Sequence, residues 1–298
     1  METRSAVANL VVSLRPDQWT KNLIVFAALI FAVQLFDPAA LALATAAFLI
    51  FCALSGAVYL VNDVTDREAD RRHPLKRNRP IASGALAPGA ALTWAAGLIV
   101  TGLAAAFWLR PSFGVAAAAY VALVIVYSRA LKHVVILDVM SIAVGFVLRA
   151  VAGGLVIGVP ISEWLLVCTI LGALFLGLAK RRHELTLLAD GATGHRRILE
   201  EYDPYLLDQM IAVVAAATLV AYIIYCASPD TAEKFGTRWL VLTTPFPIYG
   251  IFRYLYLVHR KHEGGSPSDL LLSDRPLLGC VAMWGLAVVL IIYRPYAS

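Results

Sequence analysis

Three carboxylates stand where a long apolar run ends: Asp63, Asp66 and Asp70, at i, i+3 and i+7. At helical pitch this spacing lines them along one face, with Asn62 beside them through its i, i+4 relation to Asp66. Like charges this close repel, and the border of an apolar segment makes their desolvation costlier. A hard divalent cation with oxygen ligands resolves the conflict. Mg2+ bound through carboxylates commonly completes its shell with substrate phosphates. Five basic residues follow at once (Arg71, Arg72, Lys76, Arg77 and Arg79), and their side chains suit phosphate oxygens. A solvated helix end with a topology-setting loop would account for these cations but leaves the ordered acidic face unexplained.

The elements that must hold this cluster are membrane helices. Of 298 residues, 60% are hydrophobic and only 15% are charged. The apolar residues run in stretches of about twenty, the length that crosses a hydrocarbon core. Spans are expected at 22–36, 40–61, 88–109, 112–128, 134–157, 163–179, 207–227, 239–258 and 276–293. The fold class is therefore an all-α integral membrane protein, with nine transmembrane helices bundled around a cytoplasm-facing cavity. Residues 1–298 read as one domain, with an amphipathic approach at 1–21 and a cytoplasmic cap loop at 180–206. The N-terminus lacks the apolar run and small-residue cleavage site of a signal peptide.

Charge supports that count. Nine spans divide the loops into two sets, one with nineteen Lys and Arg residues and the other with only Arg110, Lys234, Arg238 and Arg294. The asymmetry puts the N-terminus and the aspartate loop in the cytoplasm of a multi-pass plasma-membrane protein. The net charge of +5 thus belongs to topology and not to nucleic acid. Trp19, Trp108, Trp164 and Trp239 fall at span ends, where interfacial indoles sit. Cys52, Cys168, Cys226 and Cys280 lie in apolar spans without metal-ligand spacing and read as packing residues. Two cations remain inside spans. Arg149 could reach the cavity or belong to a structural ion pair, while Arg253 suits snorkelling or pairing near its helix end.

Four polar segments converge on the cytoplasmic side. Besides the aspartate loop they are Gln18–Asn22 with Lys21, Tyr127–His133 with Lys132, and Lys180–Glu184 with Arg181 and Arg182. Asp138 follows His133 by five residues, at a helix start. Each has a plain alternative. Basic residues at helix ends set topology, His133 suits capping, and Tyr127 suits an interfacial belt.

The aspartate block resembles the NDxxDxxxD motif of the UbiA-type intramembrane prenyltransferases, and His73-Pro74-x-x-Arg77-x-Arg79-Pro80 also looks like that superfamily. Arg-Pro-x-Gln-Trp-x-Lys-Asn (15–22), Tyr-Ser-x-x-Leu-Lys-His (127–133) and Gly-Phe-x-x-Arg-Ala-x-Ala-Gly (145–153) resemble its decaprenyl-phosphate phosphoribosyltransferase branch. The resemblance implies Mg2+-dependent transfer of 5-phosphoribose from phosphoribosyl diphosphate to a polyprenyl phosphate, for an arabinose donor of the cell envelope. Mg2+ would sit at Asp63 and Asp66 with Asp70 or Asn62. Lys76, Arg77, Arg79, Lys132, Lys180, Arg181 and Arg182 are candidates for the donor's phosphates, with Lys21 on the donor or the lipid phosphate. Tyr127, His133, Asp138 and Arg149 complete the candidate substrate contacts. A homo-oligomer within the lipid bilayer is compatible with all of this.

A prenyl diphosphate transferase acting on an aromatic acceptor is the nearest competing enzyme. Such relatives carry a second aspartate motif between the fourth and fifth spans, where this chain offers Lys132, His133 and the single carboxylate of Asp138. A transporter would place ionisable groups near the bilayer midplane. Here they crowd one face.

Overall fold

The computed structural model describes residues 5–72, 76–189, 197–260 and 267–294, and among these every regular element is helical. The first half comprises α1 (Ala6–Ser13), a 3-10 stretch (Pro16–Phe26), α2 (Ala27–Phe31), α3 (Pro38–Thr65) and α4 (Arg67–Arg72), then α5 (Pro80–Ser83), α6 (Pro88–Leu109), α7 (Pro111–Arg129) and α8 (Leu137–Ile157). The second half comprises α9 (Glu163–Ala189), α10 (Pro204–Ala227), α11 (Pro229–Phe235), a 3-10 turn (Trp239–Thr243), α12 (Pro245–Arg260), α13 (Pro267–Ser273) and α14 (Arg275–Tyr293). Local chemistry sets many starts. Proline opens α3 and α10, where no N–H is needed, and Asp37 and Asp203 accept from Ala39 N and Tyr205 N, each at 2.8 Å.

Seven described helices are long and apolar enough to cross a membrane: α3, α6, α7, α8, α10, α14 and the Glu163–Thr186 part of α9. The expected spans at 22–36 and 239–258 are built differently. Thr20, Lys21 and Asn22 interrupt the apolar pattern of the first, which is 3-10 to Phe26 and α-helical for only five residues. In the second, Pro245 restarts the helix after a 3-10 turn. Contacts nevertheless define the paths of both. Arg15 reaches Asp63 at one end of α3, whereas Asp37 caps the other end. At 1.5 Å per residue those ends are about 39 Å apart, and the chain from 15 to 37 covers that distance. Likewise Thr243 meets Tyr222 at 2.6 Å and His259 meets Asp208 at 3.2 Å, so α12 runs antiparallel along α10.

Small residues bring these helices together. In lipid the apolar effect does not drive association, so close backbone approach and packing must. Ala44, Ala47 and Ala117 are fully buried, whereas Val100, Val213 and Leu290 face outward. The tightest approach is at Gly153 of α8. A Cβ built there lies 2.1 Å from the Val25 carbonyl oxygen, so the 3-10 stretch packs on bare backbone. The cap expected at 180–206 is partly helix, since α9 runs on to Ala189 and a 3-10 turn covers Arg197–Glu201. Residues 190–196, with His73, Pro74, Arg4 and Lys261, lie outside the described residues.

Gly153→Ala should lower stability by about 1–3 kcal/mol, as overpacking does, read as an earlier thermal transition in detergent. Gly97→Ala, where an added Cβ meets nothing within 4 Å, should be neutral or slightly stabilising.

Candidate active site

The aspartates lie where α3 stops. Asp66 takes backbone angles of −90° and 7° between α3 and α4, so the three carboxylates do not share one unbroken helix face. Asp63 before the break and Asp70 after it are both buried. Arg79 stands between them, with Nη1 donating to Asp63 Oδ1 at 3.1 Å and to Asp70 Oδ2 at 2.7 Å. Arg15 makes a short ion pair with the same Asp63 oxygen. The expected repulsion between neighbouring aspartates is therefore relieved by two guanidinium groups. Asp66 keeps a looser pair, 3.6 Å from Lys132 Nζ.

The aspartates wall a cavity of about 290 Å³ within the first half of the bundle, which α9 closes with Lys180. Asn62, Asp63, Asp66, Asp70, Lys21, Lys76, Arg79, Tyr127, Arg149 and Lys180 all line it, as the sequence led us to expect. Six basic side chains there, including Arg15, face three acidic ones. Such an excess suits a polyanion. Lys21 precedes the first candidate crossing, and its ammonium is pushed down to about 8, first by burial and then by the charges of Lys180, Arg149 and Arg15. Arg149 is buried inside α8, and among the described residues no carboxylate pairs with it. It donates to Asn22 Oδ1 at 2.8 Å, Tyr120 OH at 2.7 Å and Gly145 O at 3.1 Å, and lies over the Tyr120 ring. The alternative of an ion pair for Arg149 is thus replaced by a neutral hydrogen-bonded seat at the cavity wall. Arg253 does pair, with Asp274 at 2.7 Å, but from the middle of α12; the helix end is its partner's, since Asp274 caps α14.

Other expected contacts lie elsewhere. Asp138 and Arg181 are almost fully buried against each other, 2.7 Å apart, and do not line the cavity. Tyr202 donates to the second Asp138 oxygen at 2.8 Å, and Glu184 pairs with Arg181. This cluster ties α8 to α9 and to Tyr202 near the end of the cap, and the helix periodicity of α9 explains why. A turn that points Lys180 into the cavity must turn its neighbour Arg181 about 100° away. Arg182 pairs with Asp208 at 2.9 Å, while Arg77 and His133 are exposed and outside the cavity lining. Lys132 sits across Asp66 in a smaller adjoining cavity of about 120 Å³ with Ser128 and Arg129.

Arg15 was missed as a site residue. Its φ is 54°, in the left-handed region, although it precedes Pro16, which favours extended backbone. A strained residue holding a buried aspartate is a candidate functional position, and the only sequence sign was its place in the motif at 15–22. Tyr59 and Tyr120 of the cavity wall were also missed, because tyrosines in apolar spans look like packing.

The donor set suits a hard cation. Asn62, Asp63, Asp66 and Asp70 offer oxygen ligands only, on one cavity wall, and a Mg2+ site needs one or two carboxylates when phosphates supply the rest. Among the described residues no three His, Cys, Asp or Glu groups already converge as a complete cage. A second cavity of about 360 Å³, almost wholly apolar, adjoins the first and shares Lys21 and Phe146 with it.

Comparisons with known proteins bear on the family and the fold. The decaprenyl-phosphate phosphoribosyltransferase of Mycolicibacterium smegmatis is 35% identical over 292 residues, covering 94% of this chain and 91% of that protein. The enzyme of the same description from Mycobacterium tuberculosis is 36% identical over 282 residues, covering 93% and 92%. The fold matches a UbiA homolog from Archaeoglobus fulgidus bound to GPP and Mg2+, with a TM-score of 0.69 at 17% identity, covering 97% and 98% of the two chains. Residues 22–273 match the UbiA prenyltransferase family, and the chain belongs to it.

Proposed function

We propose that this transferase moves 5-phosphoribose from phosphoribosyl diphosphate to a polyprenyl phosphate, releasing diphosphate. The observation that carries the reading is the pair of joined cavities: a cation-rich one beside the aspartates, and an apolar one that meets it at Lys21 and Phe146. A doubly phosphorylated sugar fits the first and an isoprenoid tail the second. The lipid phosphate head would then lie at the junction, within reach of Lys21. Its oxygen attacks the anomeric carbon of the ribose as the bond to diphosphate breaks, and the leaving group departs with that electron pair. A phosphate is already ionised at neutral pH, so no strong base is needed. Arg79, Lys76 and Lys180 hold and orient the anionic donor, and such positioning supplies most of the rate. Mg2+ at Asn62, Asp63, Asp66 and Asp70 would neutralise the departing diphosphate as a Lewis acid.

The competing prenyl diphosphate reading is disfavoured by the loop after α7. Its Lys132 faces Asp66, and the only carboxylate near a second motif, Asp138, is buried against Arg181. The pathway supplied, the making of an arabinose donor for the cell envelope, follows from the same reading. We further take the segments 22–36 and 239–258 as crossings, which makes nine, with the site open to the cytoplasm. Their paths alongside α3 and α10 and the basic-residue asymmetry support this.

Purified protein incubated with labelled phosphoribosyl diphosphate, Mg2+ and decaprenyl phosphate should pass label to the organic phase. Asp66→Asn should cut that transfer by about two to three decades, as loss of a preorganised charge does. Its exposed pair with Lys132 is worth at most about 1 kcal/mol, so the melting temperature should barely move. Transfer with geranyl diphosphate and an aromatic acceptor, but not with the ribosyl donor, would overturn the reading.

Lys21 yields a pH dependence. Its charge is lost as pH rises through about 8, so affinity for the lipid phosphate should weaken between pH 7.5 and 9, by about tenfold per unit at most. Lys21→Arg, which stays charged, should flatten the profile in a calorimetric titration. Because that value lies below the ordinary 10.5, the empty protein should gain stability as pH rises above about 8.

For sidedness, cysteines placed at Ser83 and Asp230, both exposed, should react with an impermeant maleimide from opposite faces of the membrane. Labelling of both from one face would sink the nine-crossing arrangement.

A further inference from the structure

A third cavity lies beyond the apolar groove. It measures about 380 Å³, is an open cleft walled by α9, α10, α12, α13 and α14, and is lined almost entirely by carbon. It shares three residues with the groove: Gly172 and Leu176 of α9 and Trp284 of α14. Trp284 is fixed at this boundary by its indole N–H, which donates to Tyr222 OH at 2.8 Å. The space is kept open by sequence. Gly172 lies at the boundary and Gly250 of α12 lines the third cavity alone, and a Cβ at either meets nothing within 4 Å. Glycine inside a helix costs about 0.5–1 kcal/mol relative to alanine. Where glycine permits close helix packing that cost is recovered. Here nothing packs against it.

We infer that this third cavity receives the distal isoprene units of the lipid substrate, which pass Gly172, Leu176 and Trp284 after filling the first groove. The inference rests on the polyprenyl phosphate reading and adds the path of the tail. Size favours it. Pockets of about 300–1,000 Å³ hold drug-sized molecules, so the 360 Å³ groove accommodates only the proximal part of a decaprenyl chain. The cavity beyond it offers no charged side chain, and its polar lining is confined to Thr218, Tyr254 and Cys280. A hydrocarbon fits that lining, whereas a sugar or a phosphate does not. A side chain at Gly250 would occupy the distal space without touching the aspartates or the first groove.

The test compares kcat/KM for decaprenyl phosphate with that for geranyl phosphate, whose short tail ends within the first groove. Gly250→Leu should lower this ratio by about tenfold or more, the discrimination typical of a filled apolar pocket. An unchanged ratio in the active variant would overturn the inference while leaving the proposed reaction intact. Failure of the wild-type protein to use either lipid would instead count against the reaction. A photoreactive decaprenyl phosphate, carrying a diazirine on its terminal unit, gives a second measure on unaltered protein. Crosslinks to Phe246, Ile251 or Val281 are expected. Crosslinks confined to the first groove or to bilayer-facing side chains would overturn the path, whatever the variant does.

Discussion

The structure turns on the way Arg79 holds two buried aspartates at the end of α3. Asp63 and Asp70 are each about 4% exposed, and an uncompensated charge so placed would cost several kcal/mol. One guanidinium nitrogen, 3.1 Å from one carboxylate and 2.7 Å from the other, offsets that cost and ties α4 to the end of α3. Arg15 adds a second cation from the far side and draws the start of the first apolar segment to the same point. The loop, the entry segment and α3 are thus registered to one another by charge. Association of helices by packing alone would leave that register loose.

That arrangement explains which parts of the site were legible in the sequence. Asp63, Asp66 and Asp70 declared themselves by spacing, and Lys21, Lys76, Arg79 and Lys180 by their places in the basic segments that border apolar runs. Ten of the expected residues wall one cavity. Partner choice was hidden, because it depends on tertiary geometry. Asp138 and Arg181 look like ligands when only their charge is read, yet they satisfy each other at 2.7 Å. Arg15, Tyr59 and Tyr120 carry no spacing signal and reach the site only through the fold.

The fold was legible to a similar depth. Composition and span length revealed the membrane helices, and seven of the nine expected spans are long apolar helices. The other two follow paths fixed by contacts at their ends, but polar residues and Pro245 make them irregular. Hydropathy cannot register such irregularity, because a 3-10 stretch and an α-helix can share one composition. The consequence is local. The 3-10 segment lies against Gly153 and delivers Lys21 to the cavity and Asn22 to Arg149 behind its wall.

The seat of Arg149 also bears on how the chain enters a bilayer during synthesis. An arginine at the centre of an emerging span costs about 2.5–3.5 kcal/mol at the translocon. Its hydrogen-bonding side chains, Asn22 and Tyr120, both precede it in the chain, and Gly145 lies one turn upstream in α8. Every acceptor has therefore been synthesised before Arg149 leaves the ribosome. The order of residues along the polypeptide is itself a provision for inserting a charged helix, since no later segment has to arrive before that charge is satisfied.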